Sequence, residues 1–459
     1  MKQKIYIDTS VFGGYFDEEF SNQTIPLFER IKNEEFILLY SSVTQGELEN
    51  APNYVKELVK SLKVDYTEYI DLSEDAIDLA NEYISGKVVG LTSYADWFRA
   101  HGFDEVEVQA VPLCNGGVTH QTIATLKGDG SNPSLMLCGH IDISDWQGKP
   151  FRESEWTHDP FGAEIHSGYL YGLGAINMKG GVAAIMMAAE SVRRSGAKRR
   201  GDLIVACVAA ETGGGVGAVH LINSGLRPTY CVVTEAGNLD VGLISAGYVQ
   251  GKVRAKGEFK HRVPYNNPIE KICRVINAFG PSYQPIQQES WLRYAPHPLL
   301  PGFPRLAVRN IEHFQDTTTL MFDLRTIPGM TEASVRDDMQ VLLEEIAASD
   351  PNFHFELVIP QSEQQPNMPA REATATDSPI AQAIIKGHTA VTGQAPVVGA
   401  GHRIGATADT CHFKGVGITC VEYGPGYIPI WPMVDECIEV AQIVTATQVL
   451  AVAAEKICT

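Results

Sequence analysis

Short apolar runs bounded by polar turns alternate along this chain with segments in which apolar side chains recur every three or four positions, and that alternation predicts strands and helices in turn. Near the start, "KIYIDTSV" and "FILLYSS" have strand character, whereas "TIPLFERIKNEE" and "SEDAIDLANEYIS" have helical spacing, the latter capped by Ser73. This order predicts a small parallel α/β unit over residues 1–96. From Trp97 the runs "SLMLCGHIDIS", "GDLIVACVAAE" and "TYCVVTEAG" predict strands, separated by the helical patterns "GVAAIMMAAESVRRS" and "VGAVHLINSG". Strands alternating with helices predict an α/β fold with a mostly parallel sheet covered on both faces. Between Gly251 and Pro360 the rhythm becomes strand, helix, strand, strand, helix, strand, the order of a ferredoxin-like βαββαβ insert. The first pattern then resumes with "SPIAQAIIKGHTAVTG" and "GITCVEYGPG" and closes on a long C-terminal helix. The expected organisation is residues 1–96, then one domain in two parts, 97–250 and 362–459, interrupted by an insert at 251–361.

Composition adds limits to this outline. With 459 residues, 44% of them hydrophobic, the chain exceeds what one core serves and can bury two or three. A net charge of −19 argues against nucleic acid or an anionic membrane as partner, because phosphate binding needs clustered Lys and Arg and the longest such cluster is "KRRGD". Nine cysteines occur singly without CxxC spacing, several inside apolar runs, which predicts buried free thiols of a reducing compartment. The start "MKQKIYIDTS" has no apolar signal core and no run approaches about 18 apolar residues, so a cytoplasmic protein that does not span a membrane is expected.

Three residues stand out chemically. His140, Glu211 and Glu235 each fall at or just past the C-terminal end of an expected strand, the edge at which open α/β sheets bind ligands. Three potential metal ligands at one sheet edge predict a site there.

The N-terminal motifs "YIDTSVFGGYF", "SSVTQGELENAP" and "YISGKVVGLTSYAD" resemble those of PIN-domain ribonucleases. The resemblance implies Asp8, Glu47 and Asp96 as ligands of a catalytic Mg²⁺ or Mn²⁺. Asp8 just after a strand is equally well explained as a cap or turn residue. After Asp96 the chain reads "WFRAHGFDEVEVQAVP" where that family continues into a last strand, so a truncated, PIN-like remnant is expected rather than a nuclease.

The remaining motifs, "CGHID", "DPFGAEIHSGYLYGLGAINMKGG", "DLRTIPGMT" and "EYGPG" followed by "DE", resemble the two-zinc amidohydrolases of acetylornithine deacetylase, succinyl-diaminopimelate desuccinylase, aminoacylase and glutamate carboxypeptidase. The resemblance implies hydrolysis of an amide bond in an N-acylated amino acid or small peptide by zinc-activated water. It implies His140 and Glu235 as metal ligands and Asp142 as the partner that orients His140. Asn177 stands where the family has the aspartate bridging both ions. Only Glu211 remains of the paired glutamates: in one register Ala210 replaces the base and Glu211 is a ligand, in the other Glu211 is the base and Thr212 replaces the ligand. Trp431 occupies the place of the final histidine, the nearest other histidine being His412. This inventory implies at most one zinc ion, or none. His261 matches the histidine that reaches the partner subunit's site and stabilises the oxyanion, which implies a homodimer through the insert. Arg325, His402 and Arg403, with Asp409 nearby, are candidates for gripping a substrate carboxylate. An ion pair of Arg325 with Asp323 or Glu332, and a polar loop around His402, are the structural alternatives. Three functions stay open: a metallohydrolase with a degraded two-metal site, an inactive homologue that binds an acylated amino acid or peptide, and a ribonuclease remnant.

Overall fold

The computed structural model describes residues 3–6, 12, 15–16, 21–33, 36–41, 48, 51–62, 67–70, 91–143, 153–260, 263–280, 294–295, 297–360, 366–401, 406–427 and 434–459. They form two compact units, Met1–Val89 and Gly90–Thr459. In the first unit, β1 (Gln3–Tyr6), β2 (Phe36–Ser41) and β3 (Thr67–Ile70) make a parallel sheet in sequence order. Phe12, Phe28, Ile31, Leu48, Val55, Leu58 and Leu62 form its buried cluster, Phe28 and Ile31 coming from α1 (Ser21–Lys32) and Val55 and Leu58 from α2 (Asn53–Lys60). The helix expected after Ser73 lies outside the described residues.

The second unit begins with α3 (Leu91–Ala100), where Tyr94, Ala95 and Phe98 are buried. A hairpin of β4 (Glu105–Pro112) and β5 (Val118–Leu126) follows. Strand β4, "EVEVQAVP", is an edge strand that buries Gln109 and Val111 on one face and leaves Val108 exposed on the other. Next come β6 (Leu135–His140), the short β7 (Ile165–His166) and β8 (Tyr169–Tyr171), α4 (Gly180–Ser195), β9 (Leu203–Val208), α5 (Val216–Asn223), β10 (Tyr230–Val233) and β11 (Val241–Gly242).

The chain then runs through β12 (Gly247–Lys256), the small pair β13 (Glu258–Lys260) and β14 (Val263–Asn266), α6 (Pro268–Phe279), β15 (Arg305–Phe314), β16 (Thr317–Thr326), α7 (Glu332–Ala348) and β17 (His354–Val358). The order β15-β16-β12-β17 makes an antiparallel sheet. Val249 and Val253 from β12, Leu320, Phe322 and Leu324 from β16, Val275 from α6 and Met339 from α7 share one buried cluster. The last segment supplies α8 (Pro379–Thr392), β18 (Val398–Gly399), α9 (Thr410–Gly415), β19 (Thr419–Glu422), β20 (Cys437–Glu439) and α10 (Val440–Cys458).

The large sheet has the order β18-β11-β19-β10-β6-β9-β5-β4. Its centre, β19-β10-β6-β9, is parallel, while β9-β5, β5-β4 and β11-β19 are antiparallel. Central strands buried on both faces need continuous apolar sequence, and every residue of β6 and β9 is buried. One face packs Met136, Ile204, Val208 and Cys231 against Ala218 and Leu221 of α5 and Phe413 of α9. On the other, α4 lies over β6 and β9 and packs against α10. Helix α10 is long and apolar enough by composition to cross a membrane, yet Val449, Leu450, Ala453 and Ala454 are buried within the unit. All nine cysteines are free thiols; six are buried, among them Cys138 and Cys207 of the apolar runs, Cys437 is half-buried, and Cys114 and Cys273 are exposed, so that burial does not extend to all nine. Those two lie on surface segments whose local polarity the isolated spacing does not register.

Candidate functional site

Parallel strands put their C-terminal ends on one edge, so the residues that end β6, β9 and β10 are brought to one place by topology alone. His140 ends β6, Glu211 lies three residues past β9, and Glu235 two past β10. One ligand atom from each of His140, Glu211 and Glu235 falls within 4.8 Å of the others. The His140 Nε2 is 3.9 Å from Glu211 Oε2 and 3.8 Å from Glu235 Oε1. Analogy with a two-ion centre would separate Glu211 from the other two; the described geometry brings all three to one point.

Asn177 completes the cluster. It is buried, and its Oδ1 lies 3.1 Å from His140 Nε2. Its loop is held by Glu436, whose carboxylate accepts N–H bonds from Gly174 (2.8 Å), Ile176 (2.7 Å) and Asn177 (3.3 Å). Burial raises the Glu436 pKa even though those three bonds favour its charged form. The glycines of "MKGG" serve packing: a Cβ at Gly181 would sit 2.1 Å from the Thr234 carbonyl oxygen, so only glycine lets α4 approach the segment that carries Glu235.

Asp142 ties the neighbouring strand ends together. The His140 ring donates from Nδ1 to the Asp142 carbonyl oxygen at 3.0 Å, and the same nitrogen is 3.5 Å from Asp142 Oδ1. Glu211 N donates to Asp142 Oδ1 at 3.1 Å, and Thr212 N and Oγ1 donate to Oδ2 at 3.0 and 2.7 Å. Burial works against the Asp142 charge, but the His140 ring and the Thr212 donors outweigh it and hold its pKa at about 2.

Burial likewise opposes a charged His140 ring, yet the bond to Asp142 and the charges of Glu211, Asp142 and Glu235 lift its pKa well above the usual imidazole range. Glu211 is pushed well above the carboxylate range, first by burial, with Glu235 and Asp409 adding to the rise and His140 opposing it. The cluster thus sets three carboxylates, Glu211, Glu235 and Asp142, around one imidazole, a crowding of like groups that a bound cation would relieve. A divalent cation taking the Nε2 position would displace the proton there and neutralise the carboxylates, the general behaviour of metal centres that release protons on loading.

The donor set fits one divalent ion of zinc type: an imidazole whose other nitrogen is already bonded, two carboxylates and an amide oxygen. A second group of three ligands is absent among the described residues. His412 spends its Nε2 on the Gly214 carbonyl at 2.7 Å, and burial lowers its pKa to about 4. Asp409 is buried with one oxygen lacking a hydrogen-bond partner, and burial, with the nearby carboxylates, raises its pKa to about 7. Glu422, a conceivable replacement base, instead receives the Ser245 and Thr410 hydroxyls at 2.7 and 2.9 Å.

Arg325 stands at the end of β16, donates to Thr407 Oγ1 at 2.7 Å, lies 3.5 Å from Asp323 and covers the Tyr248 ring at 5.0 Å. It forms the Asp323 pair anticipated as the structural alternative, and Glu332 pairs with Arg336 at 3.7 Å. His261, His402, Arg403 and Trp431, and the first two PIN-type positions Asp8 and Glu47, lie outside the described residues. Asp96 is exposed on α3, within the second unit, and pairs with Arg99 at 3.1 Å.

Comparison with known proteins agrees with this architecture. Residues 136–456 match Peptidase family M20/M25/M40. Among solved structures, the chain is similar to an M20 family metallo-carboxypeptidase from Sulfolobus solfataricus, with TM-score 0.63 and 16% identity over 84% of this chain and 99% of that one. It is also similar to the di-peptidase Dug1p from Saccharomyces cerevisiae, with TM-score 0.63 and 12% identity over 98% of each chain. A Bacillus subtilis protein described as a dinuclear metal binding peptidase of the M20 family matches with TM-score 0.55 and 15% identity over 83% of this chain and 98% of that one. At such identities these likenesses speak to the fold.

Proposed function

The chain belongs to Peptidase family M20/M25/M40, and from that membership we propose a hydrolase of amide bonds in N-acylated amino acids or small peptides whose centre holds one zinc ion in place of the family's two. The observation that carries this reading is the convergence of His140, Glu211 and Glu235 within 4.8 Å at the carboxyl edge of the sheet. A zinc ion held there would polarise the scissile carbonyl and acidify a water molecule. The residues supply the rest. Asp142 fixes the His140 tautomer so that Nε2 faces the cluster, Glu235 offsets positive charge, and Glu211, with its raised proton affinity, is suited to take the proton that water loses.

Glu211→Gln separates base from ligand, the choice left open by the sequence. Loss of hydrolysis of N-acetyl amino acids by about 10²–10⁴-fold with metal retained supports the base. Loss of metal together with activity supports the ligand. Wild-type protein that loads zinc but cleaves no member of an N-acyl and dipeptide panel would reject the hydrolase.

A second reading, an inactive homologue that binds an acylated amino acid or peptide, draws support from Asn177 and from Ala210 in one register or Thr212 in the other, neutral side chains at positions where the resemblance places carboxylates. The first unit is taken as a PIN-like remnant without nuclease activity, supported by the acidic balance of the chain and by Asp96, the third PIN-type position, which lies in the second unit as an exposed partner of Arg99.

The reading extends to a cytoplasmic homodimer formed through a ferredoxin-like insert at 251–361. The nine free thiols support a reducing compartment. Support for the dimer comes from β15, an edge strand of the four-stranded sheet that leaves Ile311 and Phe314 exposed, the latter by 75%. Sedimentation at micromolar concentration is expected to give twice the chain mass; monomer alone would reject the dimer.

A further inference from the structure

We propose that Thr212 is a positioning residue of the metal centre, its hydroxyl locking the Asp142 carboxylate across the two strand ends that carry His140 and Glu211. The inference rests on the one-metal reading above but concerns a residue to which the family pattern gives no such role. In one register Thr212 stands where a glutamate ligand belongs, and a threonine is too short to take that ligand's place. Its side chain points to Asp142 instead.

An ionised carboxylate offers about four acceptor positions. Those of Asp142 accept three hydrogen bonds, from Glu211 N at 3.1 Å, Thr212 N at 3.0 Å and Thr212 Oγ1 at 2.7 Å, while Oδ1 also lies 3.5 Å from His140 Nδ1, whose N–H goes to the Asp142 carbonyl. The hydroxyl contact is the shortest and the only one of the three from the 211–212 segment that a side-chain change can remove. It bonds to Oδ2, the oxygen opposite the one facing His140, so it resists rotation of the carboxylate about its Cβ–Cγ bond. Without it Oδ2 keeps only the Thr212 backbone N–H, and the carboxylate that lies between the His140 ring and the Glu211 backbone is held less firmly. Two of the three candidate ligands thus flank one carboxylate that this hydroxyl helps to hold.

The test uses the full chain, stripped of metal and titrated with Co²⁺ and Zn²⁺ by calorimetry, with the Co²⁺ visible absorption recorded at each step. Thr212→Val keeps shape and removes the hydroxyl; Thr212→Ser keeps the hydroxyl and removes a methyl. Partners of metal ligands are typically worth 10–100-fold in affinity, and for a half-exposed bond the lower end, about tenfold weaker binding in Thr212→Val with an altered Co²⁺ spectrum, is expected. Thr212→Ser should bind as the wild type does, and thermal unfolding of the metal-free variants should match the wild type. Equal affinity in wild type and Thr212→Val overturns the lock while leaving the metal centre standing. Equal weakening in both variants also overturns it, because packing and not the hydroxyl would then be responsible. A wild type that binds neither ion overturns the metal centre itself and the lock with it.

Discussion

His140→Ala is expected to abolish zinc binding. Wild-type protein purified without chelator and dialysed against trace Zn²⁺ should carry about one zinc per chain by elemental mass spectrometry, and the variant none. The reason is that His140 is the single imidazole of the cluster, fully buried, with one nitrogen fixed on Asp142 and the other aimed at Glu211 and Glu235. Removing it leaves carboxylates and an amide, a donor set better suited to hard ions such as Mg²⁺ or Ca²⁺ than to zinc. The loss should be visible in stability as well. A ligand at a hundred times its dissociation constant stabilises the folded state by about 2.7 kcal/mol, so zinc should raise the unfolding temperature of the wild type and leave the variant unmoved. A wild type free of zinc, with no thermal response to it, would leave the binding homologue as the surviving reading.

Much of this site is legible in the amino-acid sequence. The strands that end at His140 and just before Glu211 and Glu235 announce themselves as unbroken apolar runs, and parallel topology does the rest: strand ends on one edge must be neighbours. The antiparallel sheet at 247–358 is equally readable, since its helices and strands switch period clearly. What the sequence conceals is of two kinds. The β4–β5 hairpin is half-buried, and its alternation begins in the stretch where the PIN-type pattern breaks off, so that two motifs compete for the same residues. Which of the family's two glutamates Glu211 matches is left open, because the three glycines after Thr212 permit either register, and so its convergence with His140 and Glu235 is not legible in the sequence. The Thr212–Asp142 bond has no signature at all, because a threonine beside a glycine run is ordinarily a turn residue. Similarly, nothing in "DE" says that Glu436 accepts three backbone N–H groups and so sets the loop of Asn177.

Asn177→Asp is the change expected to move the site furthest toward its relatives, and its effects should come in two stages. The single substitution places a carboxylate where an amide oxygen now lies 3.1 Å from His140 Nε2. A unit charge at about 4 Å from another is worth on the order of 4 kcal/mol at an effective dielectric of 20, and more against a doubly charged ion. Part of that is lost because the new carboxylate, crowded by Glu211 and Glu235, takes up a proton in the metal-free state that zinc must displace, so zinc affinity should rise by at least about tenfold rather than by the full Coulomb amount. Stoichiometry should remain one, because a second ion needs further donors. Adding Trp431→His supplies the imidazole that the resemblance places on the other side of the bridge. Two zinc ions about 3.5–4 Å apart repel by roughly 15–20 kcal/mol at the same dielectric, and only an anion shared between them relieves it. The double variant should therefore bind two zinc ions while Trp431→His alone binds one. Two ions in the single Trp431→His protein would show that Asn177 already bridges adequately, and one ion in the double variant would show that the second half of the site cannot be rebuilt from these two positions. Either outcome would separate a centre that lost its second metal through two side chains from one whose surrounding backbone has settled around a single ion.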